Sequence, residues 1–133
     1  SVVYGIFISL LRINVSDNVN ETNVESVINA FPLISFLIIG IFAPVCEEFT
    51  YRVGLFGFLS RKNKIMAYCV APVVFALIHF TLDFSNIVNE LLNIPYYLFA
   101  GFTLTYLYDR FGFAGSVTAH ILNNSVSEII NLF

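Results

Sequence analysis

Residues 47–52 (Glu-Glu-Phe-Thr-Tyr-Arg) lie inside an apolar run that extends from Phe31 to Ser60 and contains no other charged residue. Each formal charge costs about 3 kcal/mol near the centre of a membrane-spanning helix unless it faces a bundle interior and pairs with another group. A chain of this kind therefore has to fold so that these charges are sequestered. We interpret them as part of a functional site, and the chain's two histidines are their expected partners.

The composition indicates an integral membrane protein. Of the 133 residues, 58% are hydrophobic and only 11% are charged, whereas soluble chains carry about 25% charged residues. The net charge of -3 and the lack of a basic run exclude a nucleic-acid partner. Cys46 and Cys69 both lie in apolar segments, so we expect small buried thiols and no disulfide framework.

The apolar segments predict an all-α fold, a polytopic transmembrane helix bundle with a catalytic site inside the membrane. About 20 helical residues span a bilayer core. Pro44 predicts a kink in the second segment. We expect a single domain over residues 1–133, with a motif core at 32–126 and further N-terminal helices missing. The apolar segments are Ser1–Ile13, Phe31–Leu59, Ile65–Leu82, Ile94–Tyr108 and Phe113–Phe133.

The loops predict the orientation in a cell membrane. Arg61, Lys62, Lys64 and Arg110 all fall in two loops on one side of this multi-pass layout, and the side with more basic residues is usually cytoplasmic. The polar stretches Asn14–Asn29 and Asp83–Asn93 should then face outward. The second of these we read as a short amphipathic helix or a re-entrant turn.

Four polar side chains on three of these segments fall at a similar depth. At 1.5 Å per helical residue, Glu47 and His79 lie about 18 and 21 Å from the cytoplasmic ends of their segments. His120 and Asn124 lie about 10 and 16 Å from the start of the last segment. A carboxylate and imidazoles can act as bases, and neutral donors can stabilise a developing negative charge. This layer is typical of a site that activates water.

Simpler structural roles remain open for each of these residues taken alone. Glu48 and Arg52 have the i,i+4 spacing and order of a helix-stabilising ion pair. His79 could be a core histidine bonded to a carbonyl group. His120 and Asn124, also four residues apart, could serve as hydrogen-bonding contacts between helices.

Three motifs follow one another along the chain: Glu-Glu-x-x-x-Arg at 47–52, Phe-x-x-x-His at 75–79 and His-x-x-x-Asn at 120–124. In this order they resemble the CPBP family of intramembrane proteases, which includes the CAAX prenyl protease 2 type and many bacterial proteins linked to bacteriocin processing and self-immunity. Similar stretches occur at 99–101, 106–108 and 113–116. The resemblance covers residues 32–126.

The resemblance implies a role for each matching residue. Glu47 and His79 match the pair that activates a water molecule, and His120 with Asn124 matches the pair that stabilises the oxyanion. Glu48 and Arg52 match the supporting pair. The implied activity is endopeptidase cleavage of a hydrophobic or lipid-modified peptide in the lipid bilayer.

The cofactor requirement and the function class each leave an alternative open. The family is often labelled a metalloprotease, but no His-Glu-x-x-His motif is present. We therefore expect no cofactor and no metal ligand, with a zinc-dependent intramembrane metalloprotease as the alternative. A non-catalytic membrane immunity or binding protein, which holds a bacteriocin without cleaving it, is the other alternative to the peptidase.

Overall fold

The computed structural model describes residues 18–132, with the side chains of 131 and 132 excepted, and all of the regular secondary structure there is helical. Helix α1 is Val19–Ala30 and helix α2 is Pro32–Ser60. Helix α3 is Lys64–Ile78. The last helical stretch, Ile87–Leu132, is broken at Gly112, which divides it into α4 (87–111) and α5 (113–132). The all-α prediction is confirmed.

Local sequence explains where several helices begin and break. Asn18 caps α1 by accepting a hydrogen bond from the Glu21 amide, and Asn63 caps α3 by accepting one from the Met66 amide. Gly112 has φ 70° and ψ -168°, a conformation that side chains with a Cβ rarely adopt. The chain can therefore turn sharply between α4 and α5 at this glycine.

Helix α2 is not uniformly α-helical. Two π-helical stretches, Phe36–Phe42 and Phe49–Phe56, flank the α-helical Ala43–Glu48. Pro44 lacks an amide hydrogen and cannot complete the ordinary bond to the Gly40 carbonyl, which accounts for the change of pitch in the first stretch. Such π-helical turns are frequent at functional sites, and the paired glutamates lie between them.

Helices α3 and α4 pack closely at Gly101 on α4, because glycine has no side chain to hold the two backbones apart. A Cβ atom at Gly101 would lie 3.0 Å from Pro72 Cα and 3.1 Å from the Pro72 carbonyl oxygen. At one end of this pair, Lys64 Nζ lies 2.8 Å from Asp109 Oδ2, which lowers the pKa of Asp109. The two basic loops therefore lie at the same end of the bundle, as the predicted topology requires.

One helix among the described residues, Pro32–Ser60, is long and apolar enough to cross a membrane. Its outer face exposes large side chains such as Leu33 and Phe49. Helix α3 is apolar but has only 15 residues, about 22 Å. One candidate span does not establish the multi-pass arrangement, which stays a prediction, as does the single domain over residues 1–133.

Several sequence-based boundaries are corrected by the structure. Helix α3 ends at Ile78, earlier than the predicted Leu82, because the loop after it is held by side-chain contacts described below. The stretch Asp83–Asn93 is not a separate element: α4 begins at Ile87 and runs through it. Cys46 and Cys69 are free and exposed, not buried, because they lie on outward faces of their helices. The segment Ser1–Ile13 lies outside the described residues.

Candidate active site

Glu48 links an arginine to a histidine in the centre of the bundle. Its Oε1 lies 3.0 Å from His120 Nδ1, and its Oε2 lies 3.2 Å from Arg52 Nε. Glu48 and Arg52 are fully buried, and His120 is 6% exposed. Because a carboxylate accepts, Nδ1 of His120 carries the donated proton. This contact leaves Nε2 of His120 to face the remainder of the site.

Glu47 lies between the two imidazole rings. Its Oε2 is 3.9 Å from His79 Nε2 and 3.8 Å from His120 Nε2. These separations exceed a direct hydrogen bond, and polar groups at such distances are commonly bridged by water. This oxygen is buried and has no hydrogen-bond partner among the described residues. The carboxylate and both histidines can therefore contact one small molecule together.

His79 is fixed from several directions at the C-terminal end of α3. Its Nδ1 lies 2.8 Å from the Phe75 carbonyl oxygen, as expected for an Nδ1–H donor. Its ring stacks on Tyr97 with a centroid distance of 4.5 Å and an interplanar angle of 18°. The Asn18 amide group donates to both the His79 carbonyl and the Tyr97 hydroxyl, at 3.4 Å each. In the neutral ring, Nε2 is then an acceptor that points at Glu47.

Glu90 ties two backbone segments to helix α4 close to His79. One carboxylate oxygen accepts the Val19 amide at 2.8 Å, and the other accepts the Thr81 amide at 3.0 Å. Glu90 is 1% exposed. It thereby joins the start of α1 to the loop that follows α3, which explains why α3 ends where it does.

Asn124 pairs with a carbonyl group that the π-helical turn releases. The Ala43 amide bonds to Ile38 instead of Ile39, and the next residue, Pro44, has no amide hydrogen. The Asn124 side-chain amide donates to the Ile39 carbonyl oxygen at 3.2 Å. One of its two N–H hydrogens is used in this bond, and the second remains for another acceptor.

Phe75 is the apolar centre around which the polar groups are arranged. The Arg52 guanidinium carbon lies 4.7 Å from the Phe75 ring centroid, a cation–π contact. The His79 and His120 rings lie 4.8 and 5.8 Å from the same centroid. Phe75 belongs to one of the three motifs, but its contacts with Arg52 and the two histidines could not be inferred from the motif.

The residues line a cavity of about 330 Å³, and residues of α1, α4 and α5 complete its wall. Glu47, His79, His120 and Asn124, predicted from the sequence to share a layer, all contribute to its wall. Glu48 and Arg52 lie behind the wall. The contact of Glu48 with His120 and the contacts of Glu90 with two backbone segments were not predicted. Most of these partners lie far apart in the chain, so no local sequence pattern indicates that they meet.

The described residues contain no group of three or more His, Cys, Asp or Glu side chains with an arrangement that could hold a metal ion. Glu47 Oε2 lies 3.9 and 3.8 Å from the Nε2 atoms of the two histidines. The expectation of a metal-free site stays a prediction.

Comparison with known proteins identifies the family. Residues 29–126 match the family described as type II CAAX prenyl endopeptidase Rce1-like. The chain belongs to this family. The CPBP resemblance seen in the motifs is thereby confirmed, and the matched range coincides closely with the predicted core at 32–126.

Curated bacterial relatives agree with this membership. "Putative membrane peptidase YdiL" of Bacillus subtilis is 29% identical over 115 residues, which cover 85% of this chain and 43% of the relative. The UPF0177 protein YxdF of Lactococcus lactis is 26% identical over 98% of this chain and 72% of its own length. The UPF0177 protein in the abiGi 5′ region of L. lactis subsp. cremoris is 33% identical over 75% of this chain and 39% of its own length.

The chain covers less than half the length of several relatives, including 38% of an uncharacterized protein of Mycoplasma capricolum and 48% of YvdC of L. lactis. No solved structure matches the chain. As a member of the type II CAAX prenyl endopeptidase family, the chain is a membrane protein of a peptidase family.

Proposed function

We propose that this protein is a multi-pass intramembrane endopeptidase that hydrolyses a peptide bond in a hydrophobic or lipid-modified peptide by glutamate- and histidine-activated water. The observation that carries the proposal is the position of Glu47 Oε2, 3.9 Å from His79 Nε2 and 3.8 Å from His120 Nε2. The family membership supports the peptidase class.

Water activation falls to Glu47 and His79. A water molecule about 2.8 Å from Glu47 Oε2 can also reach His79 Nε2, which accepts because Nδ1 donates to the Phe75 carbonyl. Glu47 removes a proton from the water while the water oxygen attacks the scissile carbonyl carbon, and a tetrahedral oxyanion forms. The C–N bond then breaks, and the proton held by Glu47 passes to the departing amine.

Oxyanion stabilisation falls to His120 and Asn124. His120 donates Nδ1–H to Glu48, and in its protonated form it presents an Nε2–H to the developing negative charge. Asn124 uses one side-chain hydrogen on Ile39 and can offer the other to the oxyanion. Donors held in place before the reaction need no reorganisation as charge develops, which is the main source of their effect.

Glu48 and Arg52 act as positioning residues. The Glu48 carboxylate orients the His120 ring by accepting its Nδ1–H, as a buried aspartate does for the histidine of a serine-protease triad. Arg52 in turn holds the Glu48 carboxylate at 3.2 Å. This chain of contacts requires no metal ligand, so we propose a metal-free mechanism.

The proposed partners are a peptide substrate and the lipid bilayer, with no nucleic acid. Four of the matched relatives come from Bacillus and Lactococcus, which favours a bacterial peptide over a prenylated eukaryotic protein. We propose bacteriocin processing or self-immunity as the biological setting. A non-catalytic immunity protein is the competing explanation and predicts that the active-site carboxylate is dispensable.

Glu47→Gln tests the proposal directly. The protein is expressed in bacterial membranes beside this variant and a Glu25→Gln control, which removes a charge outside the cavity wall. New peptide termini are then identified by mass spectrometry. We expect termini that depend on Glu47 and persist in the control, and a loss of about 10²- to 10⁴-fold in cleavage of the peptides so identified. The same set of new peptide termini in all three samples would contradict the peptidase proposal. It would also be contradicted if cells that carry the Glu47→Gln variant were still fully protected against a bacteriocin.

A further inference from the structure

Glu128 is a buried carboxyl group in the wall of the cavity, outside the three motifs. It is 2% exposed, and neither carboxylate oxygen has a hydrogen-bond partner among the residues that the structure describes. Burying a carboxyl group without a partner is costly. The fold therefore maintains a group that would be stabilised by a ligand carrying a positive charge.

Helix α2 leaves room for this carboxyl group. A Cβ atom at Gly40 would lie 3.2 Å from Glu128 Oε1 and 3.3 Å from Ser125 Oγ. Both distances are shorter than most Cβ contacts, so a larger residue at position 40 would require these side chains to move by a few tenths of an ångström. Gly40 on α2 thus lies against Glu128 on α5, and neither residue belongs to the three motifs.

The cavity wall is acidic. Glu21, Glu47 and Glu128 contribute to it together with His79 and His120, and no lysine or arginine among the described residues does. Opposite charges attract strongly where solvent is largely excluded. An entering peptide that carries a cationic side chain would therefore be favoured over a neutral one of similar size.

We propose that Glu128 forms a substrate subsite that binds a lysine or arginine side chain of the peptide. This proposal rests on the proposed peptidase function. It specifies the substrate as a hydrophobic peptide with a basic residue near the cleavage site. Glu128 acts in recognition and takes no part in the bond-breaking steps.

The subsite lies at a defined distance from the reacting groups. His120, Asn124 and Glu128 are spaced by four residues on α5 and share one side of the helix. Eight residues correspond to about 12 Å along the axis, which is the length of three to four residues of an extended peptide. The basic side chain should therefore lie about three or four residues from the scissile bond.

Binding measured without turnover separates this proposal from the peptidase proposal. The probes are fluorescent twelve-residue peptides of leucine and alanine, with one lysine placed at each position in turn, and matched peptides with norleucine there. Fluorescence anisotropy in detergent micelles is measured on the Glu47→Gln variant, which binds but should not cleave. We expect lysine to improve affinity by about tenfold or more at a restricted set of positions.

Substitutions at position 128 then identify the contact. Adding Glu128→Gln should abolish the lysine preference, whereas adding Glu25→Gln should leave it unchanged. Glu128→Lys should reverse it, so that peptides with glutamate at the same positions bind better than those with lysine. A reversed preference in a variant without cleavage would support the subsite even if the peptidase proposal failed.

Three results would overturn the subsite. They are equal affinity for lysine and norleucine peptides on the Glu47→Gln protein, no binding of any lysine peptide, or a lysine preference that survives Glu128→Gln. The first two need no substitution at position 128, so a folding defect there cannot obscure the answer.

Discussion

Glu48 Oε1 lies 3.0 Å from His120 Nδ1, although the two residues are 72 positions apart in the chain. The other oxygen of the same carboxylate lies 3.2 Å from Arg52 Nε. The residue that the sequence presents as half of a local helix pair is thus also a tertiary contact between α2 and α5. It decides which nitrogen of His120 faces Glu47.

Glu48→Gln should impair both folding and turnover. The substitution removes the charge that pairs with buried Arg52, and breaking a buried ion pair costs about 3 kcal/mol or more. It also weakens the orientation of His120. We expect a clear fall in the thermal unfolding temperature and a fall in kcat with little change in KM.

The comparison with Glu47→Gln isolates the two roles. Glu47 Oε2 has no hydrogen-bond partner among the described residues, so its substitution should lower kcat without lowering the unfolding temperature. If Glu47→Gln destabilised the protein as much as Glu48→Gln, the proposed division between a reacting and a positioning carboxylate would be wrong.

Asn124→Ala should reduce activity and should also destabilise the protein, because it removes a hydrogen bond between α5 and α2. It leaves the Ile39 carbonyl without the 3.2 Å bond that replaces the missing helical one. An unsatisfied buried acceptor costs about 1–3 kcal/mol. The check is chemical denaturation in detergent beside Asn29→Ala, which removes an exposed amide on α1. Equal stability of the two variants would show that the Ile39 contact contributes little.

Glu90→Gln should loosen the loop after α3 and, through it, His79. A glutamine side chain can accept only one of the two amide hydrogens that Glu90 accepts from Val19 and Thr81. We expect faster hydrogen exchange at those amides and a lower kcat, with the Glu48–His120 side of the site unaffected. Unchanged exchange at both amides would contradict a positioning role.

Chelators should leave cleavage unchanged. The described residues offer no three-ligand metal group, and the proposed proton transfers use only carboxylate and imidazole. Activity is measured after dialysis against 1,10-phenanthroline, with 1,7-phenanthroline as the non-chelating control. Loss of activity in the first sample alone, restored by added zinc, would favour the zinc-dependent alternative.

Much of the helical layout was predictable because its signals are local. The apolar run from Phe31 to Ser60 corresponds to α2, within one residue at its start. The acidic and basic groups at 47–52 were correctly expected to need an interior environment, since Glu48 and Arg52 are fully buried. The boundaries after His79 were not predictable, because Glu90 fixes them from a different helix.

The sequence alone determined the family, because the motif residues, their spacing and their order can all be read without a structure. The motifs also grouped Glu47, His79, His120 and Asn124 as one candidate set. Only the tertiary structure decided that Glu48 contacts both Arg52 and His120. It also decided that Asn124 donates a hydrogen bond to the Ile39 carbonyl and that Glu128 lines the cavity. Those contacts depend on the rotation and pitch of packed helices, which are set by side chains far apart in the chain.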